Sequence, residues 1–336
     1  MIKYVGVQDP RFWELFEQLR RDVGWHSPLY TRSSLFYYRR RILDDGNKIS
    51  DRSFIMLVNT NPVAAFLGAL IGNSNGTQDM LAFEIPCQVI ENVAKLTKAL
   101  SKQFIGEINA ILQEVSGKIW YRDILFNGFI SAFSHNLLSK GGNASPVFSK
   151  VIDLSNEEAC LKSQLRKSYR SLVNWGIREL NPLVVNKENV TWQMVNEFRQ
   201  LHIREAGRET RSEASWKKQY EMVKAGDAFI IFGGVGEQLV SAGLFFCSDT
   251  TCFYAVSASK RDLFDKPLFH SLMWVAILYA KKHGYRLFEI GPQSYPNHFQ
   301  NFRPTKKELT ISDFKAGFGG QTIVYLDVLF SGSVNL

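Results

Sequence analysis

Apolar and polar positions along this chain change period repeatedly, and the change is clearest between residues 252 and 291. Phe253, Ala255 and Ser257 alternate with Tyr254, Val256 and Ala258, as in a strand with two different faces. After the polar loop Lys260–Lys266 comes a segment apolar on most sides: Leu268, Phe269, Leu272, Met273, Val275, Ala276 and Ile277. Pro267 suits the first helical position, where a missing N–H costs nothing, and Lys281-Lys282-His283-Gly284 supplies a basic last turn and a terminating glycine. A helix that apolar must lie across a sheet. A further strand at Arg286–Ile290 completes a strand–helix–strand crossover, expected to be right-handed, whose helix N-terminus is a natural anion site.

The same reading extends along the chain. The first half predicts a helix through Phe12, Trp13, Leu15, Phe16 and Leu19, then a loop rich in aromatic and basic residues from Trp25 to Arg41. Strands follow at 53–59, 62–71 and 80–85, helices near 87–100 and 104–115, a strand at 118–126, a helix near 130–138 and a strand at 146–153. The second half predicts one long helix over 157–178, its start marked by Ser155 and Glu158 at capping-box spacing. Helices at 192–206 and 212–225 come next, then a meander at 228–232, 238–247 and 251–257, the crossover, and strands around 309–314 and 322–330. Helices, meander, crossover helix and strand occur twice. That order predicts an α+β layered fold in tandem, with the boundary near residue 154.

Bulk composition adds limits. A length of 336 residues matches two domains of about 150 residues each, and a 45% hydrophobic content is that of an ordinary globular core. The net charge of +8 favours anionic partners, although a solvated basic surface explains so small an excess equally well. Cys87, Cys160, Cys247 and Cys252 form no CxxC and have no histidine at metal-ligand spacing, so reduced thiols and no metal are expected. Asp9-Pro10 arrives too early for a signal peptide, and the longest apolar runs are strand-sized, far short of a membrane span. A cytoplasmic protein, with a peripheral place at the inner membrane left open, is the expectation.

Several short motifs, in order, resemble the GNAT-fold acyltransferases of the Fem type (FemAB-like). They are Val151-Ile152-Asp153-Leu154 followed by Arg166-Lys167-Ser168-Tyr169-Arg170; Tyr254-Ala255 with Ser257-Ala258-Ser259; Lys266-Pro267; Phe288-Glu289-Ile290-Gly291; and Phe314-Lys315-Ala316-Gly317-Phe318-Gly319-Gly320. The resemblance covers the second half well and the first half in plan. It implies two tandem GNAT-like domains, 1–154 and 155–336, and transfer of an acyl or aminoacyl group to an amine of a cell-envelope precursor. Two departures bear on the donor. No long helical arm interrupts the second half, and Lys260-Arg261-Asp262-Leu263-Phe264-Asp265 stands where the Arg/Gln-x-x-Gly-x-Gly/Ala phosphate signature is usual. An acyl-CoA donor and an amino-sugar acceptor, nucleotide- or lipid-linked, are therefore favoured. Aminoacyl-tRNA with a peptide acceptor is the alternative, and a non-catalytic binder of nucleic acid or envelope precursor the reading from another class.

Acyl transfer to an amine needs a proton acceptor, stabilisation of an oxyanion and a hold on the donor. Lys315, flanked by apolar residues in an apparent strand ending in glycines, is the oxyanion candidate; the resemblance also implies a functional lysine there. Tyr254, on the strand that lines the acyl-donor cleft in GNAT folds, is a proton-shuttle candidate, with packing the simpler role. Glu289 and His298 are candidate bases near the carboxyl end of the strand after the crossover, where ligands collect in α/β sheets. Lys260, Arg261 and Lys266, with Arg166 and Arg170 from a basic rail on the long helix, are candidates for donor phosphates. Arg39, Arg208 and Tyr295 are candidates for the acceptor.

Overall fold

Alternation and helical stripes both reappear in the computed structural model, which describes residues 1–24, 27–125, 128–236, 238–263, 265–297 and 303–331. Contacts divide the chain into two compact units that are not continuous in sequence. One holds Met1–His26, Tyr38–Val147 and Val324–Leu336, the other Ser27–Tyr37 and Phe148–Ile323. A simple division at residue 154 contains neither exchanged segment.

The first unit runs β1 (Ile2–Gly6), α1 (Phe12–Val23), α2 (Arg32–Asp44) from Tyr38 on, β2 (Lys48–Asp51), β3 (Phe54–Val58), β4 (Asn61–Leu67), β5 (Ala69–Gly72), β6 (Gln78–Leu81), β7 (Gln88–Glu91), α3 (Lys98–Leu112), β8 (Lys118–Ile124) and α4 (Ala132–Ser139), ending in β9 (Asn143–Asp153) as far as Val147. Strands β1, β3, β4 and β7 pair antiparallel in that order. A second group runs β2, β5, β6, β8, in which β6 and β8 are parallel. Helix α3 starts where Thr97 accepts a hydrogen bond from the Leu100 N–H, and it buries Phe104, Ile108 and Leu112, one face of a helix at four-residue spacing. These pack with Phe66, Met80, Ile119, Phe133 and Leu137 in one core.

The second unit continues with α5 (Glu158–Gln164), α6 (Lys167–Leu180), β10 (Leu183–Val185), α7 (Trp192–Ala206), α8 (Glu213–Ala225), β11 (Ala228–Val235), β12 (Gln238–Cys247), β13 (Thr251–Ser259), α9 (His270–Lys282), β14 (Leu287–Gln293), α10 (Lys306–Ala316) and the start of β15 (Gln321–Ser331), which belongs to the first unit from Val324 on. Its sheet is antiparallel from β10 through β13, parallel between β13 and β14, and antiparallel again from β14 to residues 148–153 of β9. Alternation along β11 sends Phe229 and Ile231 into the core built with α6 and α9, while Phe232 meets Phe198 of α7.

Several sequence expectations are corrected. Residues 32–44 form a helix, not a loop, because Ser34, Leu35, Tyr37 and Ile42 share its buried side. Residues 88–91 are strand, and the helix starts only at Lys98. The expected long helix is two: Leu165 and Arg166 are extended, and the Arg166 N–H donates instead to the Gly317 carbonyl at 2.8 Å. The basic rail is therefore not one helical face. Ser155 and Glu158 form no capping box; that motif occurs at Thr305 and Glu308. Residues 306–316 are helix rather than strand, and α9 begins at His270, three residues beyond Pro267.

Candidate functional site

Among the described residues, the sheet of the second unit comes apart between β13 and β14. Strands β13 and β14 are partners over Thr251–Phe253 and Leu287–Glu289 only. Beyond Phe253, β13 stays with β12 and carries a bulge, so that Tyr254 lies opposite Phe245 and Val256 opposite Leu244. Beyond Glu289, β14 bulges towards β9, where Gly291 lies opposite Lys150. Two bulges on adjacent parallel strands turn them away from one another. The backbone edges left between them are where a ligand can be gripped.

Helix α10 brings Lys315 to the β14 side of this opening. The buried positions of that helix, Ser312 and Lys315, are polar, and its apolar Ile311 is 43% exposed. Ser312 ties the helix to β14 by accepting the Ser294 N–H at 2.8 Å. Lys315 is 9% exposed and donates from Nζ to the Pro292 carbonyl at 3.1 Å. Burial lowers its ammonium pKa to about 8, with the charge of Glu289 opposing the shift. Glu289 in turn accepts a hydrogen bond from Ser149 on β9. Gly291 is what lets the lysine reach this point. Its φ is +99°, and a Cβ there would stand 3.3 Å from Lys315 Nζ.

An aromatic wall surrounds the start of α9. Tyr254 packs on Phe245 and Phe269, with ring centroids 5.7 and 5.4 Å away, and its hydroxyl hydrogen-bonds Ser257. Burial pushes that hydroxyl up to about 12. Phe269 contacts Phe314, the neighbour of Lys315. His270, which the sequence reading passed over, lies between Tyr169 and Phe314 at 4.5 and 5.1 Å. Burial lowers its pKa to about 4, opposed by the nearby Pro267 carbonyl, so the ring is neutral near pH 7, and Nδ1 is buried with no well-formed hydrogen bond among the described residues. Only its place at the head of the crossover helix could have marked it in the sequence. Gly317 admits the Tyr169 ring, since a Cβ there would come within 2.2 Å of it.

Arg166 closes the same wall. It stacks over Tyr169 at 5.2 Å and forks onto Asp313 at 2.9 and 2.7 Å, two residues before Lys315. Arg170 donates to the Ser163 carbonyl at 2.8 Å and faces solvent. Lys260, Arg261 and Lys266 lie in the loop before α9, where the Arg261 N–H donates to Glu205 at 2.9 Å. Tyr295 packs on Phe148 and pairs with Thr322 at 3.4 Å. Arg208 is exposed just after α7, and Arg39 is exposed on the part of α2 that belongs to the first unit. His298 lies outside the described residues. Lys315 and Glu289 are thus brought into electrostatic contact, and ring contacts join Tyr254 to them through Phe269 and Phe314. No metal-binding cluster of His, Cys, Asp and Glu occurs among the described residues, and no described helix is long and apolar enough to cross a membrane.

Among solved structures, FemX matches with a TM-score of 0.69 at 10% identity, covering 98% of each chain. A tandem GNAT protein from the clavulanic acid biosynthesis pathway matches at 0.58 and 11% identity over 99% of each chain. L-PGS from Bacillus licheniformis matches at 0.58 and 13%, over 97% of this chain and 93% of that one. No protein-family model and no curated protein matches the sequence. The fold is therefore the tandem GNAT arrangement that FemX shares, an α+β architecture built twice.

Proposed function

We propose that this protein is an N-acyltransferase in which the opening between β13 and β14 receives an activated acyl group and passes it to an amine. The observation that carries the reading is Lys315: a buried ammonium, with pKa near 8, at the open edge of two diverging strands. Nζ has three N–H groups and one hydrogen-bond acceptor among the described residues, the Pro292 carbonyl. The others are free to meet an oxyanion, and a charge partly stripped of water acts more strongly on it than one in solution.

In the reaction the acceptor nitrogen attacks the acyl carbonyl carbon and a C–N bond forms. Lys315 donates to the carbonyl oxygen as it becomes negative. The bond to the donor's sulfur or oxygen then breaks, and the leaving group takes up a proton. Neutral His270, whose Nδ1 is buried without a well-formed hydrogen bond among the described residues, supports the role of accepting the amine's proton, alongside Glu289 and His298; Tyr254, held neutral by its raised pKa, acts as donor in the same relay. Lys260, Arg261 and Lys266 flank the head of the crossover helix and hold donor phosphates, while Arg166, tied to Asp313, positions α10.

Acyl-CoA is the favoured donor and a nucleotide- or lipid-linked amino sugar or peptide the acceptor, with Arg39, Arg208 and Tyr295 on the acceptor side. Aminoacyl-tRNA is the second donor, because the loop before α9 lacks the glycines of a pyrophosphate cradle. The test is equilibrium binding of CoA and of aminoacyl-tRNA, followed by mass spectrometry of an amine panel incubated with each donor. We expect saturable binding of one donor and an acylated amine that disappears with Lys315→Met. No saturable binding of either would overturn the reading.

A further inference from the structure

The first unit has a cavity of its own, and its chemistry is the reverse of the opening just described. Strands β7 and β8 approach through a parallel bridge between Cys87 and Tyr121, then separate. The space between them holds 420 Å³, within the range of small-molecule pockets. Its walls are largely apolar, and at its rim Val93 and Phe129 are 82% and 76% exposed.

Three side chains set the polarity of the interior. Gln88 is 1% exposed, and its amide nitrogen donates to the Arg122 carbonyl at 3.1 Å. That bond fixes the amide's orientation and leaves Oε1 buried without a partner among the described residues. A buried acceptor left unmade costs about 1–3 kcal/mol, which a ligand donor would recover. Glu91 accepts only a long hydrogen bond from Ser101, 3.4 Å, among the described residues, and burial, reinforced by Asp123, raises its pKa. Asp123 is itself buried, with one oxygen accepting from the Ser131 N–H at 2.7 Å and the Ser134 hydroxyl at 2.6 Å. Against these carboxyl groups the lining offers, among the described residues, a single cation, Lys98 in the first turn of α3.

We propose that this cavity binds an organic ammonium ion with an apolar body, its N–H groups donating to Glu91 and to Gln88 Oε1 while its hydrocarbon part fills the space between β7 and β8. A cation there keeps Glu91 ionised and satisfies the buried amide oxygen, whereas an anion would meet two carboxyl groups. A neutral isostere keeps the apolar contact but leaves the carboxylate without a counter-charge. The site goes beyond the transfer reaction and does not depend on it.

Calorimetric titration of the full chain with 2-phenylethylamine, neutral 2-phenylethanol and anionic 3-phenylpropanoate tests this directly. The amine should bind saturably and at least ten-fold more tightly than the alcohol, and the carboxylate should not bind. Glu91→Gln should weaken the amine about ten-fold while leaving the alcohol unchanged, and Gln88→Leu should weaken it by a smaller factor. Should either variant fail to fold, the three-ligand comparison on the unmodified chain still decides. Equal binding of amine and alcohol, tighter binding of the carboxylate, no saturable amine binding at millimolar concentration, or a folded Glu91→Gln that binds the amine normally would each overturn the proposal.

Discussion

The two units use one backbone device and give it opposite charge. In each, a crossover helix joins two parallel strands that pair briefly and then separate: β7 and β8 around α3, β13 and β14 around α9. In the second unit the buried polar group at the opening is an ammonium, Lys315, delivered by α10. In the first it is a carboxyl, half-buried Glu91, and close by are Asp123 and an amide oxygen that has no partner among the described residues. The strands themselves dictate neither. What differs is the side chains set on the separated edges, so the same fold can favour developing negative charge in one unit and a positive ligand in the other.

The strongest way to break this contrast is to remove the ammonium. Lys315→Met keeps the stem and deletes the charge, and turnover should fall by roughly 100- to 1000-fold with little change in KM, as when one oxyanion donor is lost. Steady-state kinetics on the acceptor identified by mass spectrometry checks this. Near-normal turnover would leave Lys315 a structural lysine and move attention to His270 and Tyr254. Lys315→Arg should also be slow, since a planar fork cannot sit where Gly291 and the Pro292 carbonyl leave room for one point charge.

The pH dependence of stability sharpens the contrast next. Lys315 has a folded-state pKa of about 8 against 10.5 when free. Below pH 8 both states are protonated and the burial cost is present in full. Between about pH 8 and 10.5 the unfolded chain holds the extra proton, so stability rises with pH. The gain should approach roughly 3 kcal/mol at 1.36 kcal/mol per pKa unit. Denaturant unfolding of the parent and Lys315→Met across that window should show the parent gaining on the variant, with the variant more stable at pH 7. Parallel pH profiles would mean that the ammonium is not desolvated. His270 acts at the other end. Its depressed pKa costs stability as pH falls from about 6.5 to about 4, where the unfolded chain takes up a proton that the folded one refuses.

How far all this was legible depends on where polarity follows burial. Along β12, α7 and α9 the apolar pattern and the buried face agree, and these elements stand close to where alternation and helical stripes put them. Helix α10 breaks that agreement. It buries Ser312 and Lys315 and exposes Ile311, so its pattern carries no helical stripe and reads as a strand. The lysine was identified from its apolar neighbours and the following glycines, whereas its partner carbonyl and its helical setting were not visible. The break at Leu165 and Arg166 was hidden for a related reason: what ends α5 is a tertiary hydrogen bond to Gly317, far away in sequence. Glu91 lay in a segment read as helix, so the acidic lining of the first unit's cavity had no signal in the sequence.

Gly291 tests how the ammonium is held. Gly291→Ala places a Cβ 3.3 Å from Lys315 Nζ at a φ of +99°, a conformation L residues resist. Stability should fall by about 1–3 kcal/mol. Because the nearest atom is the tip of a flexible side chain, Nζ should shift rather than the strand, and turnover should fall with it. A variant as stable and as active as the parent would show that the close approach is dispensable.

The smallest expected effect compares how the two units anchor a helix beside their openings. Thr305 caps α10 and is bonded reciprocally: its side chain accepts the Glu308 N–H at 3.2 Å, and Glu308 accepts from the Thr305 N–H at 2.7 Å. Thr97 caps α3 alone, accepting the Leu100 N–H at 3.3 Å. Replacing either threonine by alanine removes one acceptor for an otherwise orphaned N–H, worth about 1 kcal/mol. Thr305→Ala should cost the more, since it also frees the Glu308 carboxylate from a second bond to the Thr305 hydroxyl at 2.8 Å. It should also lower turnover modestly, because α10 delivers Lys315 from its last turn, whereas Thr97→Ala should weaken 2-phenylethylamine binding and leave turnover alone. Chemical denaturation, kinetics and calorimetry on the two variants separate these outcomes. Equal costs with no crossed functional effect would show that each opening is held by its sheet alone, and that the contrast between the units resides wholly in the strands and not in the helices beside them.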